Sequence, residues 1–325
     1  MSARPILIAG AGAIGSIVGA MLRRAGHEVT LLGRENHLNA IARGGLRISG
    51  LFGDHVAAGF HLASDPERLE GPFNLILLTV KAYDTASMTE RIKHLLGPEG
   101  LIVAMQNGVG NLDVLVNRVG ASRAIGSRVM LGAEIRAPGH AHATVYGAPL
   151  AFGPSASANH EHCGRLFECA REIAAMLTGA GLASEAVRDI APLLWMKLFY
   201  NAALNPLGAL LRLNYGALAA DPDLRIIMNE VIEEAFAVAT ALDVPLPYEN
   251  AEAYRAVFYG QLVPATFNHR PTMLYDLEQR GRTDIMEMNG KVVELAGRVG
   301  LRADTNRMLM HFIRARERMW RKEAT

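Results

Sequence analysis

Pro5-Ile6-Leu7-Ile8-Ala9-Gly10-Ala11-Gly12-Ala13-Ile14-Gly15-Ser16-Ile17-Val18 reads as a buried strand, a glycine turn and the opening of a helix. Pro5 to Ala9 is a short apolar run of the kind that fills a parallel sheet. Ile14, Ile17, Val18, Met21 and Leu22 then recur at helical spacing, and Gly26 closes the helix. Between strand and helix lies Gly10-x-Gly12-x-x-Gly15. Glycine turns are common, and it is this context that gives the motif its meaning as a dinucleotide-binding turn. Gly10 permits the tight turn, Gly12 lets backbone approach a pyrophosphate, and Gly15 lets the helix pack closely on the strand. The helix N-terminus, with Ala13 and Ile14 in its first turn, offers free N–H groups and a positive dipole end to phosphates. The competing reading is a tight turn that binds nothing.

Working outward, a second strand is expected at Glu28 to Leu32, and two parallel strands so joined require a right-handed crossover. Further strand-like runs lie at Asn74 to Val80, Gly100 to Met105 and Arg123 to Val129, with helical patterns between several of them. The fold class is α/β, an N-terminal Rossmann-type doubly wound parallel sheet. After about residue 187 the strand runs stop. Helical patterns take over at 188–212, 222–243, 273–281, 284–299 and 304–322. Asp221-Pro222 is a helix start, a capping residue followed by proline in the first turn, and Pro245-x-Pro247 is a break. The expected organisation is a nucleotide-binding domain over 1–187 and an all-helical domain over 188–325, with the boundary near Ser184 to Asp189.

Composition narrows the function classes. The 325 residues carry 33 basic and 32 acidic side chains, a formal charge of +1, which gives no general pull toward nucleic acid or an anionic membrane. The basic run Arg314, Arg316, Arg318, Arg321 and Lys322 reads as the solvated face of a terminal helix. Cys163 and Cys169 stand six residues apart, out of line on a helix, so they read as half-buried thiols in a reducing compartment. Pro5 to Ala9 is too short for a signal-peptide core. The most membrane-like stretch, Pro192 to Leu211, holds Lys197, Asn201, Asn205 and Pro206, whose polar groups are costly in lipid. The protein is expected to be cytoplasmic. His160-Glu161-His162 and His140-x-His142 lack the spacing of a helical metal site, so no metal is expected. The apolar helical half offers a surface for a homodimer, and Trp195 and the Met308 to Phe312 stretch read equally as core.

Two further features point to chemistry. The second strand ends in Leu32-Gly33-Arg34, where an NAD enzyme usually carries an acid for the ribose hydroxyls. Arg34 instead offers a planar cation to a 2′-phosphate, favouring NADP(H), although the neighbouring Glu35 could serve NAD. The other reading of Arg34 is a surface side chain at a loop start. In Trp195-Met196-Lys197-Leu198-Phe199-Tyr200-Asn201-Ala202-Ala203-Leu204-Asn205-Pro206, steps of four residues advance about 40° around a helix, so Lys197, Asn201 and Asn205 share one face. Unpaired polar groups are expensive among such apolar neighbours. Ketone reduction needs a cation or acid beside the carbonyl oxygen, where negative charge develops, and Lys197 suits that role. The asparagines suit a substrate's carbonyl, hydroxyl or carboxylate. The alternative is a lysine reaching solvent and asparagines bonding nearby backbone.

Several separated motifs occur in order: Gly10-Ala11-Gly12-Ala13-Ile14-Gly15, Leu32-Gly33-Arg34, Val80-Lys81-Ala82, Gln106-Asn107-Gly108, Lys197 through Asn205-Pro206, and Thr283-Asp284-Ile285 through Asn289-Gly290. Together they resemble the ketopantoate reductase (2-dehydropantoate 2-reductase) family. The resemblance implies NADPH-dependent reduction of 2-dehydropantoate to (R)-pantoate in pantothenate synthesis, in a cleft between a Rossmann and a helical domain. It implies that Lys197 is the catalytic lysine, that Asn107 contacts cofactor and helps place substrate, and that Lys81 lies by the nicotinamide ribose. Asn201 and Asn205 match substrate-contacting asparagines.

Three departures fall at the substrate end. Asp284 stands where the family has a glutamate for the substrate hydroxyl, and Asp284-x-x-Glu287 also reads as a helix cap. Thr272 stands for a serine. Tyr215, in Asn214-Tyr215-Gly216, replaces an asparagine unless Asn214 substitutes for it. These leave two rivals, a D-2-hydroxy acid dehydrogenase acting on another 2-oxo acid, and a non-catalytic NADP-binding redox sensor. A sensor has no need of Lys197.

Overall fold

The computed structural model describes residues 5–279 and 281–322, less the side chains of 320–322. The chain divides into two compact units. One runs to Gln106 and resumes over Asn111–Ile190; the other takes Asn107–Gly110 and the chain from Ala191 onward.

The first unit is built from β1 (Ile6–Ala9), α1 (Ala13–Arg24), β2 (Val29–Leu32), α2 (Glu35–Gly44), β3 (Leu46–Gly50), β4 (His55–Ala57), β5 (His61–Ala63) and β6 (Phe73–Leu78). It continues with α3 (Thr85–Ile92), β7 (Leu96–Ala104), α4 (Asn111–Val119), β8 (Ala124–Arg128), β9 (Leu131–Ala137), β10 (His140–Tyr146), β11 (Leu150–Gly153), α5 (Cys163–Gly179) and β12 (Ser184–Ala186). Eight strands form one sheet in the order β12-β11-β8-β7-β6-β1-β2-β5. From β5 to β8 every pairing is parallel, and β11 then runs antiparallel to β8. β1 is central: Ile6, Leu7, Ile8 and Ala9 are all buried, as a strand with both faces covered must be. The strand order reverses between β1 and β6, so the loops that follow them flank the topological switch point. A second sheet, β4-β3-β10-β9, is absent from the strand runs read in the sequence. Its strands are partly exposed and interleave polar with apolar residues, as in His140-Ala-His-Ala-Thr-Val-Tyr146, so they carry no continuous apolar run.

The second unit is helical among the described residues. Its elements are α6 (Ala191–Leu211), α7 (Tyr215–Ala220), α8 (Pro222–Ala241), α9 (Ala251–Val257), a π-helical turn (Phe258–Leu262), α10 (Val263–Ala265), α11 (Thr272–Glu278), α12 (Asn289–Arg298) and α13 (Asp304–Lys322). Asp221 caps α8 as expected, accepting from the Asp223 and Leu224 N–H groups at 3.0 Å. α6 is the central element, with Leu198 through Ala209 buried. Pro206 lies inside it and has no N–H for the carbonyl of Ala202. The buried Asn289 supplies the missing donor: its Nδ2 reaches Ala202 O at 3.1 Å and Asn306 Oδ1 at 3.0 Å.

The expected helix over 284–299 is corrected at its start. Residues 284–288 form a turn, and α12 begins only at Asn289 with Met288 in the cap position. Asp284 is therefore not its cap. Burial decides against the local capping pattern, because Ile285 and Met288 are 1% and 2% exposed and the turn carries both into the helical core. Trp195 is buried; in the Met308 to Phe312 stretch Leu309 and Met310 belong to the core, whereas Met308 and Phe312 are exposed. Cys163 and Cys169 are free and half-buried. Arg316 and Arg318 are exposed on α13, while the side chains of Arg321 and Lys322 lie outside the described residues. Among the described residues no helix is long and apolar enough to cross a membrane.

Candidate active site

In the first unit the glycine turn has the geometry its sequence demands. Gly10 has φ +119°, and a Cβ there would stand 2.6 Å from the Val80 nitrogen. The loop after β6 is thus packed on the turn, and Thr79 fixes it by donating its hydroxyl to Gly10 O at 2.8 Å. A Cβ on Gly15 would fall on the Gly10 carbonyl, so α1 approaches β1 closely only because that Cβ is missing. Gly12 is exposed, a Cβ there would meet only the Gly10 carbonyl at 4.0 Å, and α1 has no side-chain cap. Ala13 and Ile14 follow in the first turn, half-buried. This open, uncapped helix N-terminus fits a dinucleotide pyrophosphate.

Arg34 occupies the cap position of α2 and is exposed; among the described residues it makes no ion pair. Glu35 beside it accepts from the Ser64 hydroxyl at 3.4 Å. Lys81 follows β6, half-buried, two residues beyond Thr79. His37, which sequence reasoning missed, ties these parts together: Ser16 of α1 lies 3.0 Å from its Nε2, and the Gly139 N–H donates to its Nδ1 at 3.1 Å.

In the second unit the residues singled out on α6 converge on two segments distant in sequence. Lys197, half-buried, donates to Asn107 Oδ1 at 2.7 Å. Gly108 has φ +89°, and a Cβ there would fall on the Glu287 carbonyl, so the Asn107–Gly110 loop lies directly against the turn that carries Asp284. Asn201 and Asn205, both 8% exposed, continue the Lys197 face. Asn205 Oδ1 accepts from the Tyr215 hydroxyl at 2.6 Å, and its Nδ2 faces Met288 Sδ at 3.6 Å. Asp284 is 8% exposed. Burial pushes the neighbouring Glu287 carboxyl above the usual carboxylate range, and the Asp284 charge adds to this. Thr272 stands apart in environment, exposed in the first turn of α11. Lys197, Asn107, Asn205 and the 284–288 turn are thus gathered. The partnership of Tyr215 with Asn205 had no sequence signal beyond the oddness of a tyrosine in that turn.

Comparison with known proteins places this arrangement. Residues 6–157 match the family described as ketopantoate reductase PanE/ApbA, and residues 189–317 match its C-terminal counterpart. A 2-dehydropantoate 2-reductase of Aquifex aeolicus is 35% identical over 314 residues, covering 96% of each chain. The crystal structure of a PanE/ApbA family ketopantoate reductase from Ralstonia eutropha superposes with a TM-score of 0.84 at 31% identity, covering 97% of this chain and 99% of that one. A D-mandelate dehydrogenase solved with NADH and anilino(oxo)acetate gives 0.86 at 23% identity over 97% and 99% of the chains, a likeness of fold alone. The class is that of nicotinamide-dependent oxidoreductases acting on a small 2-oxo acid. Within it, the chain belongs to the ketopantoate reductase family, whose relatives here are named for the reduction of 2-dehydropantoate.

Proposed function

We propose that the protein reduces 2-dehydropantoate to (R)-pantoate with NADPH, as a cytoplasmic enzyme of pantothenate synthesis. Residues 1–187 hold the cofactor and 188–325 supply the substrate end. The observation that carries this reading is Lys197, held on an apolar helix by the Asn107 amide oxygen at 2.7 Å. An ammonium so fixed is ready to stabilise developing oxyanion charge without reorganising. The nicotinamide supplies hydride to the substrate's carbonyl carbon. Lys197 neutralises the charge that appears on the carbonyl oxygen and passes it a proton. Asn107 aims the lysine, while Asn201, Asn205 and Thr272 orient the substrate's oxygens. Asp284 accepts from the hydroxyl as it forms. On the cofactor side, Gly10, Gly12, Ala13, Ile14 and Gly15 cradle the pyrophosphate, and Lys81 lies by the nicotinamide ribose. Arg34, exposed and without an ion pair among the described residues, takes the 2′-phosphate, which favours NADPH over NADH.

A second reading, a D-2-hydroxy acid dehydrogenase for another 2-oxo acid, draws on one observation: the buried Tyr215 ring and its bond to Asn205 at the substrate end. One experiment tests both. NADPH consumption is measured with 2-dehydropantoate and a panel of branched and aromatic 2-oxo acids, using the natural chain and Lys197→Ala. The natural chain should prefer 2-dehydropantoate, and Lys197→Ala should lower turnover by about two to four orders of magnitude with NADPH affinity nearly unchanged. Preference for an aromatic 2-oxo acid would select the second reading. Tight NADPH binding with no turnover on any acid would leave a redox sensor.

A further inference from the structure

We propose that Tyr215 is a positioning residue for substrate recognition, holding the Asn205 amide in the orientation that Met288 selects, with N–H, not C=O, toward the turn that carries Asp284. This rests on the reading of the Lys197 face of α6 as the 2-oxo acid site.

Tyr215 is the first residue of α7 and is 3% exposed. Its place is fixed by backbone and ring contacts. Its N–H donates to His269 O at 3.1 Å, and its ring packs edge-on to those of Tyr200 and His269 at 5.7 and 5.1 Å between centroids. Burial holds its phenol well above the ordinary value, so the hydroxyl keeps its proton. That proton goes to Asn205 Oδ1, 2.6 Å away.

The opposite side of the amide decides its orientation. Asn205 Nδ2 faces Met288 Sδ at 3.6 Å, and a thioether accepts weakly but never donates. A phenol can do either. With the amide flipped, a carbonyl oxygen would face the sulfur lone pairs, and only Tyr215 would retain a bond. With the amide as found, both neighbours are satisfied. The nitrogen carries two hydrogens and the sulfur takes one at most, which leaves the other for a ligand. Met288 belongs to the same turn as Asp284, four residues on. The substrate end therefore pairs a fixed donor, Asn205, with a buried carboxylate, Asp284. A 2-oxo acid matches this pairing. One of its carboxylate or keto oxygens takes the donor, and the hydroxyl formed on reduction donates to the acid.

The test is steady-state kinetics of Tyr215→Phe and Asn205→Asp beside the natural chain, with the 2-oxo acid that the natural chain reduces best. Tyr215→Phe keeps the ring and removes only the donor. It should raise the KM for the 2-oxo acid about tenfold, with kcat within about threefold and the KM for NADPH unchanged. Asn205→Asp keeps an acceptor for Tyr215 but turns a negative oxygen toward the substrate carboxylate. Its KM should rise about a hundredfold or more. An unchanged KM in Tyr215→Phe, with or without a lower Tm, overturns the proposal and leaves the tyrosine as packing. Should Tyr215→Phe fail to fold, an unchanged KM in Asn205→Asp overturns it equally. Failure of the underlying 2-oxo acid reading is visible separately, as absence of turnover by the natural chain.

Discussion

His37 sits three residues past Arg34 on α2 and is 8% exposed. Because the Gly139 N–H donates to Nδ1, that nitrogen carries no proton, and Nε2–H is left to donate to the Ser16 hydroxyl. One neutral tautomer thus joins α2, which Arg34 precedes, to the first turn of α1, next to Gly15. Burial holds His37 below its ordinary value of 6.5, since it penalises the imidazolium. The sign follows. A lowered folded value means the stabilisation is complete above pH 6.5, the unfolded value, and is lost as pH falls through the folded value. Protonation also removes the acceptor for Gly139. Thermal unfolding at pH 7.5 and 5.5 should therefore show a smaller acid loss of Tm in His37→Gln than in the natural chain. Equal losses would assign the acid sensitivity to other groups.

At the scale of elements, the loop Asn107–Gly110 is the piece on which the candidate site turns. It comes from the end of β7 yet groups with the helical unit, where Val109 joins the apolar core. Gly108 makes this possible, with φ +89° and its α-carbon against the Glu287 carbonyl. Gly108→Ala adds a Cβ in a left-handed conformation, at roughly 1–2 kcal/mol, and it also meets backbone that cannot swing aside. The loop must then shift and carry Asn107 away from Lys197. A displacement near 1 Å can cost about a hundredfold, so kcat should fall by about ten- to a hundredfold with NADPH affinity held. A kcat within about twofold would mean that Asn107 does not aim the lysine. The sequence exposes one side of this arrangement. Gln106-Asn107-Gly108 and the Lys197–Asn201–Asn205 spacing are legible, because helical period and glycine turns are local. So are β1, β2, β6, β7 and β8, whose apolar runs follow from burial on both faces. What is illegible is tertiary. The Tyr215–Asn205 bond spans two elements. The Asp284 turn obeys the burial of Ile285 and Met288 rather than its own capping pattern. The half-exposed strands β3, β4, β9 and β10 carry too little apolar sequence to stand out.

On the scale of the molecule, each unit has its own apolar core, one around β1, α1 and the main sheet, the other around α6 and α8. The chain nevertheless passes between the units at 106/107, again at 110/111 and finally at 190/191. Unfolding the helical unit alone would free the loop that joins β7 to α4, so the sheet unit would lose the restraint on that connection. This threading leads us to expect coupled unfolding, and the tryptophans allow a direct measurement. Both of them, Trp195 and Trp320, lie in the helical part of the sequence, whereas the glycine turn and Arg34 lie in the other. Tryptophan fluorescence thus reports one unit while NADPH binds to residues of the other. At a free concentration of about a hundred times its dissociation constant, NADPH should stabilise the unit that binds it by about 2.7 kcal/mol. If the threaded chain unfolds as one, the urea midpoint read from tryptophan should rise with NADPH at constant slope. A tryptophan midpoint indifferent to NADPH, beside a rising midpoint in far-UV circular dichroism, would show that the units unfold independently despite the shared loop.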